Sequence, residues 1–194
     1  MSASTFKRLK KEINACKLCA IHLPHGPRPT VQINPTARIL IAGQAPGRRV
    51  HETGIPFNDP SGYRLRDWMG IERDDFYNEK KIAIVPMGFC YPGTGNSGDL
   101  APRPECAENW RQPILDALPD IQLTLVIGIY AQAWHLQATR KKTLTKTVKA
   151  WESYLPHTLP LPHPSPRNNI WIAKNPWFEK NILPYLKKCI CNLI

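Results

Sequence analysis

Four cysteines in this chain are spaced as ligands. Cys16-Lys17-Leu18-Cys19 sets two thiols at the end of one short segment, and Cys90 and Cys106, separated by 15 residues, can bring two more. Thiolate is a soft donor, so a four-sulfur set selects zinc or an iron–sulfur cluster, and spacing alone leaves both open. Cys189 and Cys191, at the C-terminal end, lack that arrangement and read as packing thiols. A second chemical group begins at Gly43-Gln44-Ala45-Pro46-Gly47. Two glycines and a proline in five residues cannot continue a strand, but they allow a tight turn whose backbone approaches a ligand. His51, Glu52, Phe57, Asn58 and Asp59 follow, offering proton acceptors, an amide and an aromatic face. The third group is His163-Pro164-Ser165-Pro166-Arg167-Asn168, a proline-flanked histidine able to donate or accept a proton near neutral pH.

These groups need elements to hold them. Ile39-Leu40-Ile41-Ala42 has the length and β-branched content of a buried strand, and the first strand with its loop occupies 38–60. A helix is expected over 61–70, with Leu65, Trp68 and Met69 at helical spacing. Lys81–Pro86 and Leu123–Ile129 are further buried strands, and Tyr130–Leu136 continues as helix. Pro104–Leu118 reads as a helix with proline in its first turn, and residues 5–15 read as a short amphipathic one. Residues 20–36 and Met87–Arg103 are loop by composition, and Leu155–Leu161 leads through prolines into the His163 segment. The last helix runs from Trp177 to about Cys189, with a bend at Pro184. Alternating strand and helix makes the class α/β, a parallel sheet covered by helices on both faces. No repeat or composition break divides the 194 residues, so they are expected to form one domain, 1–194.

Lysine and arginine number 26 against 15 acidic residues, a net charge of +11. That excess points to a polyanionic partner, nucleic acid first. No apolar run reaches the length of a membrane span, and the N-terminus lacks the apolar stretch of a secretory signal, so the expected location is the cytoplasm. In that reducing setting six cysteines favour metal ligands or free thiols over disulfides. The chain has no GxxxxGK[ST], and GQAPG is not GxGxxG, which argues against nucleotide-dependent chemistry.

Taken together, Cys16-Lys17-Leu18-Cys19, the GQAPG loop, Gly54-Ile55-Pro56-Phe57, the Cys90…Pro104-Glu105-Cys106 pair and His163-Pro164-Ser165 resemble, in order and spacing, the uracil-DNA glycosylase superfamily. The match spans about residues 13 to 180 and is most similar to the iron–sulfur branch, family four and the related family five. The resemblance implies a three-layer α/β/α sandwich on a four-stranded parallel sheet, and a [4Fe-4S] cluster on Cys16, Cys19, Cys90 and Cys106. It implies a monomeric, monofunctional base excision repair enzyme that binds DNA carrying uracil or another deaminated base and leaves an abasic site. It further implies that Gly43, Gln44 and Ala45 line the base, that Phe57 stacks on it, and that His163 donates a hydrogen bond where negative charge grows. Ser165 to Asn168 should enter the duplex.

The sequence departs from that pattern at three places. Gln44 stands where family four has glutamate, Ala45 where other members carry a water-activating aspartate, and Val85 or Pro86 where an asparagine reads the base. Breaking an N-glycosidic bond requires donors for the departing base and a group that orients or deprotonates water. With Ala45 unable to serve, Glu52 is the first candidate for water, with His51 and Asp59 behind it. Asn58 is available to the base edge or to its own loop. Arg48 and Arg49 are placed to hold flanking phosphates, Arg167 to hold a phosphate or enter the minor groove, and Lys141 and Lys142, with Lys146 and Lys149, form a basic strip. The rival expectation is a member of this fold that binds damaged DNA without cleaving it, or one acting on hypoxanthine or xanthine.

Overall fold

The computed structural model describes residues 2–96 and 98–194. Its strands are β1 Ile39–Ala42, β2 Ile82–Ile84, β3 Thr94–Gly95, β4 Gly98–Asp99, β5 Leu123–Ile127 and β6 Thr158–Leu161. Four of them form an all-parallel sheet in the order β2-β1-β5-β6, while β3 and β4 make a separate antiparallel hairpin. Ile41 sits between Ile84 and Leu125, so the two central strands are in step.

Side-chain alternation along β1 builds the layers. Ile39 and Ile41 face a core with Leu65, Trp68, Phe76, Phe178, Ile182 and Leu186, from helices on one side. Leu40 faces the other way, onto Ile13, Ile114 and Leu118. Every residue of β1 is therefore buried, as a strand covered on both faces requires. The α/β class and the four-stranded parallel sheet are as expected.

Helix α1, Ala3–Asn14, starts where the Ser2 side chain accepts the Thr5 N–H, and it buries Leu9 and Ile13. Helix α2, Arg48–Thr53, lies inside the stretch expected as strand and loop. Gly47 opens it, Gly54 ends it in the left-handed region at φ 71°, and Val50 is its one buried anchor. Helix α3, Pro60–Met69, begins on Asp59, whose side chain accepts the Gly62 N–H, with Pro60 in its first turn.

The fourth strand was obscured in the sequence by Pro160. It pairs only with β5, so it is an edge strand, where a residue without an N–H is tolerated. The expected helix over Pro104–Leu118 is interrupted by a π turn at Ala107–Arg111, and the C-terminal helix by another at Phe178–Ile182. Each widened turn comes just before a proline, Pro113 or Pro184, whose ring would strike the carbonyl four residues back in a regular helix. In place of the bend expected at Pro184, the structure has a π turn and sets that proline in the first turn of the helix that follows. Among the described residues no helix is long and apolar enough to cross a membrane.

The first of these π turns carries Arg111 into the interior, where it is 1% exposed. Its guanidinium donates to the carbonyls of Val85 and Pro86 at 2.7 and 3.0 Å and meets His135 Nε2 at 2.6 Å. Burial lowers Arg111 to about 9, and burial with the adjacent guanidinium lowers His135 to about 3, so the imidazole is neutral and accepts. This pair fixes the chain as it leaves β2.

Candidate active site

The loops leaving the carboxyl ends of β1, β2 and β6 meet around a cavity of about 480 Å³. Parallel sheets place ligand sites at that end, because the loops there follow every strand. Gly43, Gln44, Ala45, Pro46 and Gly47 line one side of the cavity, and Pro56, Phe57 and Asp59 another. Ile84 and Pro86 come from β2 and its exit, and His163, Ser165, Pro166, Arg167 and Asn168 close it from β6.

Three contacts hold the first loop in shape. Gly43 and Gln44 accept backbone N–H groups from Met87 and Gly88, both at 2.9 Å, and the Gln44 side chain donates to the Leu100 carbonyl at 3.2 Å. A Cβ on Gly43 would lie 3.5 Å from the Phe57 ring, so the ring lies directly against this backbone. Phe57 takes the left-handed conformation at φ 53°, unusual for a residue with a side chain. Behind it, Phe76 packs edge-on at 6.1 Å, and the Tyr77 hydroxyl donates to the Pro56 carbonyl at 2.9 Å.

His163 is fixed by its own turn. Ser165 N donates to His163 Nδ1 at 3.2 Å, and Asn168 Nδ2 donates to the His163 carbonyl at 2.7 Å. With Nδ1 accepting, the neutral ring carries its proton on Nε2. Burial lowers the pKa of His163 below the ordinary value, opposed by Asp59, so the ring is a neutral donor at neutral pH. The Ser165 carbonyl accepts from Arg64 at 3.1 Å, tying this turn to α3.

Phe57 and His163, far apart in sequence, thus line one cavity together with the Gly43–Gly47 loop. A model of the uracil DNA glycosylase superfamily matches residues 30–187. The chain belongs to that superfamily. It is a DNA glycosylase, a hydrolase of N-glycosyl bonds that binds DNA as substrate.

Several residues expected at the site of this glycosylase stand elsewhere. Glu52 is exposed on α2, outside the cavity lining, and pairs with Arg48 at 3.0 Å, one helical turn away. The cause is the helix that the sequence did not reveal: it turns 48 and 52 to a common outer face. His51 is also outside the lining, tilted against the rings of His25 and Tyr91 at 6.0 Å, its pKa lowered by burial and by Arg28. Asn58 accepts from Arg73 at 3.4 Å and does not line the cavity. Arg48 and Arg49, expected at flanking phosphates and not in the pocket, are exposed on α2, and Arg167 is in the lining.

Two polar lining residues carried no signal in the sequence. Thr30, 2% exposed, comes from the long loop before β1, its hydroxyl donating to the Arg28 carbonyl at 3.2 Å. Asp99 comes from the β3–β4 hairpin, inside a stretch readable only as irregular. Neither lies in a recognisable motif, and only the fold brings them to the cavity.

The four spaced cysteines lie outside the cavity lining. Cys19 and Cys90 are buried together with Leu23, and Cys106 is buried beside Phe89. Burial pushes the Cys90 thiol up to about 11 and Cys106 up to about 12, and each also feels Cys19 and Cys16. Phe89 N–H points at Cys106 Sγ at 3.4 Å and Trp110 Nε1–H at Cys16 Sγ at 3.2 Å. Among the described residues, no three His, Cys, Asp or Glu side chains are grouped closely enough to hold a single metal ion. Cys189 packs at the edge of the main core and Cys191 is exposed, away from this cluster of thiols.

Proposed function

We propose that this glycosylase removes uracil, the product of cytosine deamination, from DNA by hydrolysis after flipping the nucleotide out of the stack. The observation that carries this reading is the shared cavity: the aromatic ring of Phe57 and a neutral histidine donor at His163 line it together with the Gly43–Gly47 loop. A base held in that slot needs no covalent help from the protein. The ring of Phe57 supplies a stacking face, and the backbone of Gln44 and Ala45 lies along the edge of the slot. As the C1′–N bond lengthens, negative charge builds on the base, and the Nε2–H of His163 is the donor available to it. Ser165, Pro166, Arg167 and Asn168 form the rim that meets the duplex.

Pro86 favours a second specificity. It stands in the wall where a side-chain amide would read the pairing edge, and it offers no donor there, while Thr30 adds a hydroxyl. Hypoxanthine or xanthine is the alternative base. Incubation with duplex oligonucleotides carrying uracil, hypoxanthine, xanthine or mispaired thymine, followed by alkaline cleavage, separates these readings. Strand cleavage at uracil is the expected result; cleavage only at a deaminated purine transfers the activity to that base. No cleavage at any of them overturns both specificities.

The chemistry of four thiols supports a [4Fe-4S] cluster, which Cys16, Cys19, Cys90 and Cys106 would hold. Cys19 and Cys90 are buried together against Leu23, and Cys106 and Cys16 each meet an N–H donor, from Phe89 and Trp110. Such a group would serve as a structural tie between the N-terminal loop and the 90–106 segment. Purified protein should be brown with about four irons per chain. Stoichiometric zinc in a colourless protein would remove the assignment.

The basic strip belongs to the same reading. Lys141, Lys142 and Lys146 are exposed around the helix Leu144–Lys149, and Thr145 there accepts from Trp171 Nε1 at 2.8 Å, in the helix that follows the His163 loop. The strip is therefore joined to the DNA-facing rim. Neutralising all three lysines should weaken binding alike on every sequence and flatten the salt dependence by about 0.9 in log–log slope for each phosphate no longer neutralised. An unchanged slope would show these lysines to be solvated surface.

A further inference from the structure

Hydrolysis needs a proton acceptor for the attacking water, and Ala45 offers none. Two carboxylates line the cavity, Asp59 and Asp99. Asp59 is committed to structure, since its Oδ1 accepts the Gly62 N–H at 2.9 Å and caps α3. Asp99 ends the β3–β4 hairpin, paired across it with Thr94. Its carboxylate reaches over the end of the Gly43–Gly47 loop: a Cβ on Gly47 would come 3.3 Å from Asp99 Oδ2. A side chain at position 47 would press on the acid, which would have to give by a few tenths of an ångström. Arg167 arrives at the same hairpin from the His163 loop, its Nη1 lying where a Cβ on Gly98 would stand.

The groups facing Asp99 are thus Asp59 from the start of α3, Arg167 from the β6 loop and Thr94 from its own hairpin. Burial raises the Asp99 carboxyl above the usual carboxylate range, Arg167 opposes that rise, Asp59 adds to it and the Thr94 side chain opposes it. A carboxylate so placed is a stronger proton acceptor than a free one, and Asp99 lines the cavity while staying exposed to solvent.

We propose that Asp99 is the general base of this glycosylase, taking over from the hairpin the role that Ala45 leaves vacant in the first loop. The assignment rests on the glycosylase reading. In the step it serves, the water oxygen bonds to C1′ as the C1′–N bond breaks and its electron pair leaves with the base. One water proton passes to an Asp99 carboxylate oxygen and from there to solvent, where it can neutralise the released base. The sugar keeps the remaining hydroxyl, giving the abasic site.

The test is single-turnover excision by the full chain, on whichever deaminated base the wild type removes. Asp99→Asn should lower the rate about 10²- to 10⁴-fold. Affinity for a duplex carrying a tetrahydrofuran abasic analogue should stay within about threefold, since the change leaves the pocket walls intact. Asp99→Glu should restore part of the rate. The wild-type rate should fall as pH drops through the Asp99 titration, and that acidic limb should vanish in Asp99→Asn. Asp59→Asn, which keeps a capping side chain, tests the other lining carboxylate as the rival base. An active wild type with Asp99→Asn near wild-type rate, or with the acidic limb intact, overturns the assignment alone. So does a larger loss in Asp59→Asn than in Asp99→Asn. A wild type inactive on every deaminated base overturns the glycosylase reading together with it.

Discussion

His163→Ala is expected to slow base excision about 10²- to 10³-fold in single turnover, the usual cost of losing one donor aimed at developing charge. The loss should appear in the chemical step and leave DNA affinity nearly unchanged, because the donor acts on charge that the ground state lacks. The geometry defines the active form. Ser165 N–H occupies Nδ1, so the neutral ring offers Nε2–H to the cavity. Burial lowers the histidine pKa, with Asp59 opposing, so protonation at mildly acidic pH is resisted. Excision should therefore show no histidine titration near pH 6.5, the ordinary value. A rate that climbs as pH falls through that region, and does so only while His163 is present, would make the imidazolium the working species and discard the neutral donor. The same shift has a stability consequence of fixed sign. A folded-state pKa below the unfolded one makes protonation oppose folding. The contribution of His163 is complete above about pH 6.5 and is lost as pH falls toward its lowered folded value, and His135, held at about 3, behaves in the same direction.

The parts of this site legible in sequence were those written in contiguous residues. The GQAPG turn, Phe57 and the His163-Pro164-Ser165 turn each announce themselves by glycine, proline and residue type, and each lies in the cavity lining. The apolar runs at 39–42, 82–84 and 123–127 were readable because a strand buried on both faces has no polar alternation to hide it. What escaped was set by tertiary position. Helix α2 has a single buried anchor, Val50, too few apolar residues for a periodic signal, and missing it misplaced Glu52 and His51. Strand β6 carries a proline that only its edge position excuses. Asp99 depends on a two-residue hairpin in a glycine-rich stretch, and Thr30 on a loop bound to Phe89 through its backbone N–H at 2.8 Å. Neither placement has a local sequence cause.

Gly62→Ala is expected to damage the enzyme more than its conservative appearance suggests. In an ordinary helix the exchange stabilises by roughly 0.5–1 kcal/mol, because alanine loses less backbone freedom on folding. Here a Cβ on Gly62 would lie 2.6 Å from the Phe57 carbonyl carbon and 2.8 Å from Phe57 Cβ, and closer still to the carbonyl oxygen. These are backbone and near-backbone atoms, so no rotamer change relieves the overlap. The neighbours are equally constrained: Gly62 N–H is held by Asp59 and Phe57 already sits at φ 53°. Either the first turn of α3 opens or the Phe57 loop moves off Gly43. The overlap should cost about 3 kcal/mol, the upper end of ordinary overpacking, which lowers the melting temperature by about 6–12 °C in a chain of this size. Excision should fall by about 10²-fold or more, since an ångström of misplacement in a reacting geometry costs that much. Thermal melting and single-turnover kinetics on the same preparation decide it. If Gly62→Ala melts and reacts like wild type, the Phe57 loop is free to shift without cost, and the slot between that ring and His163 is not held by the contact with α3.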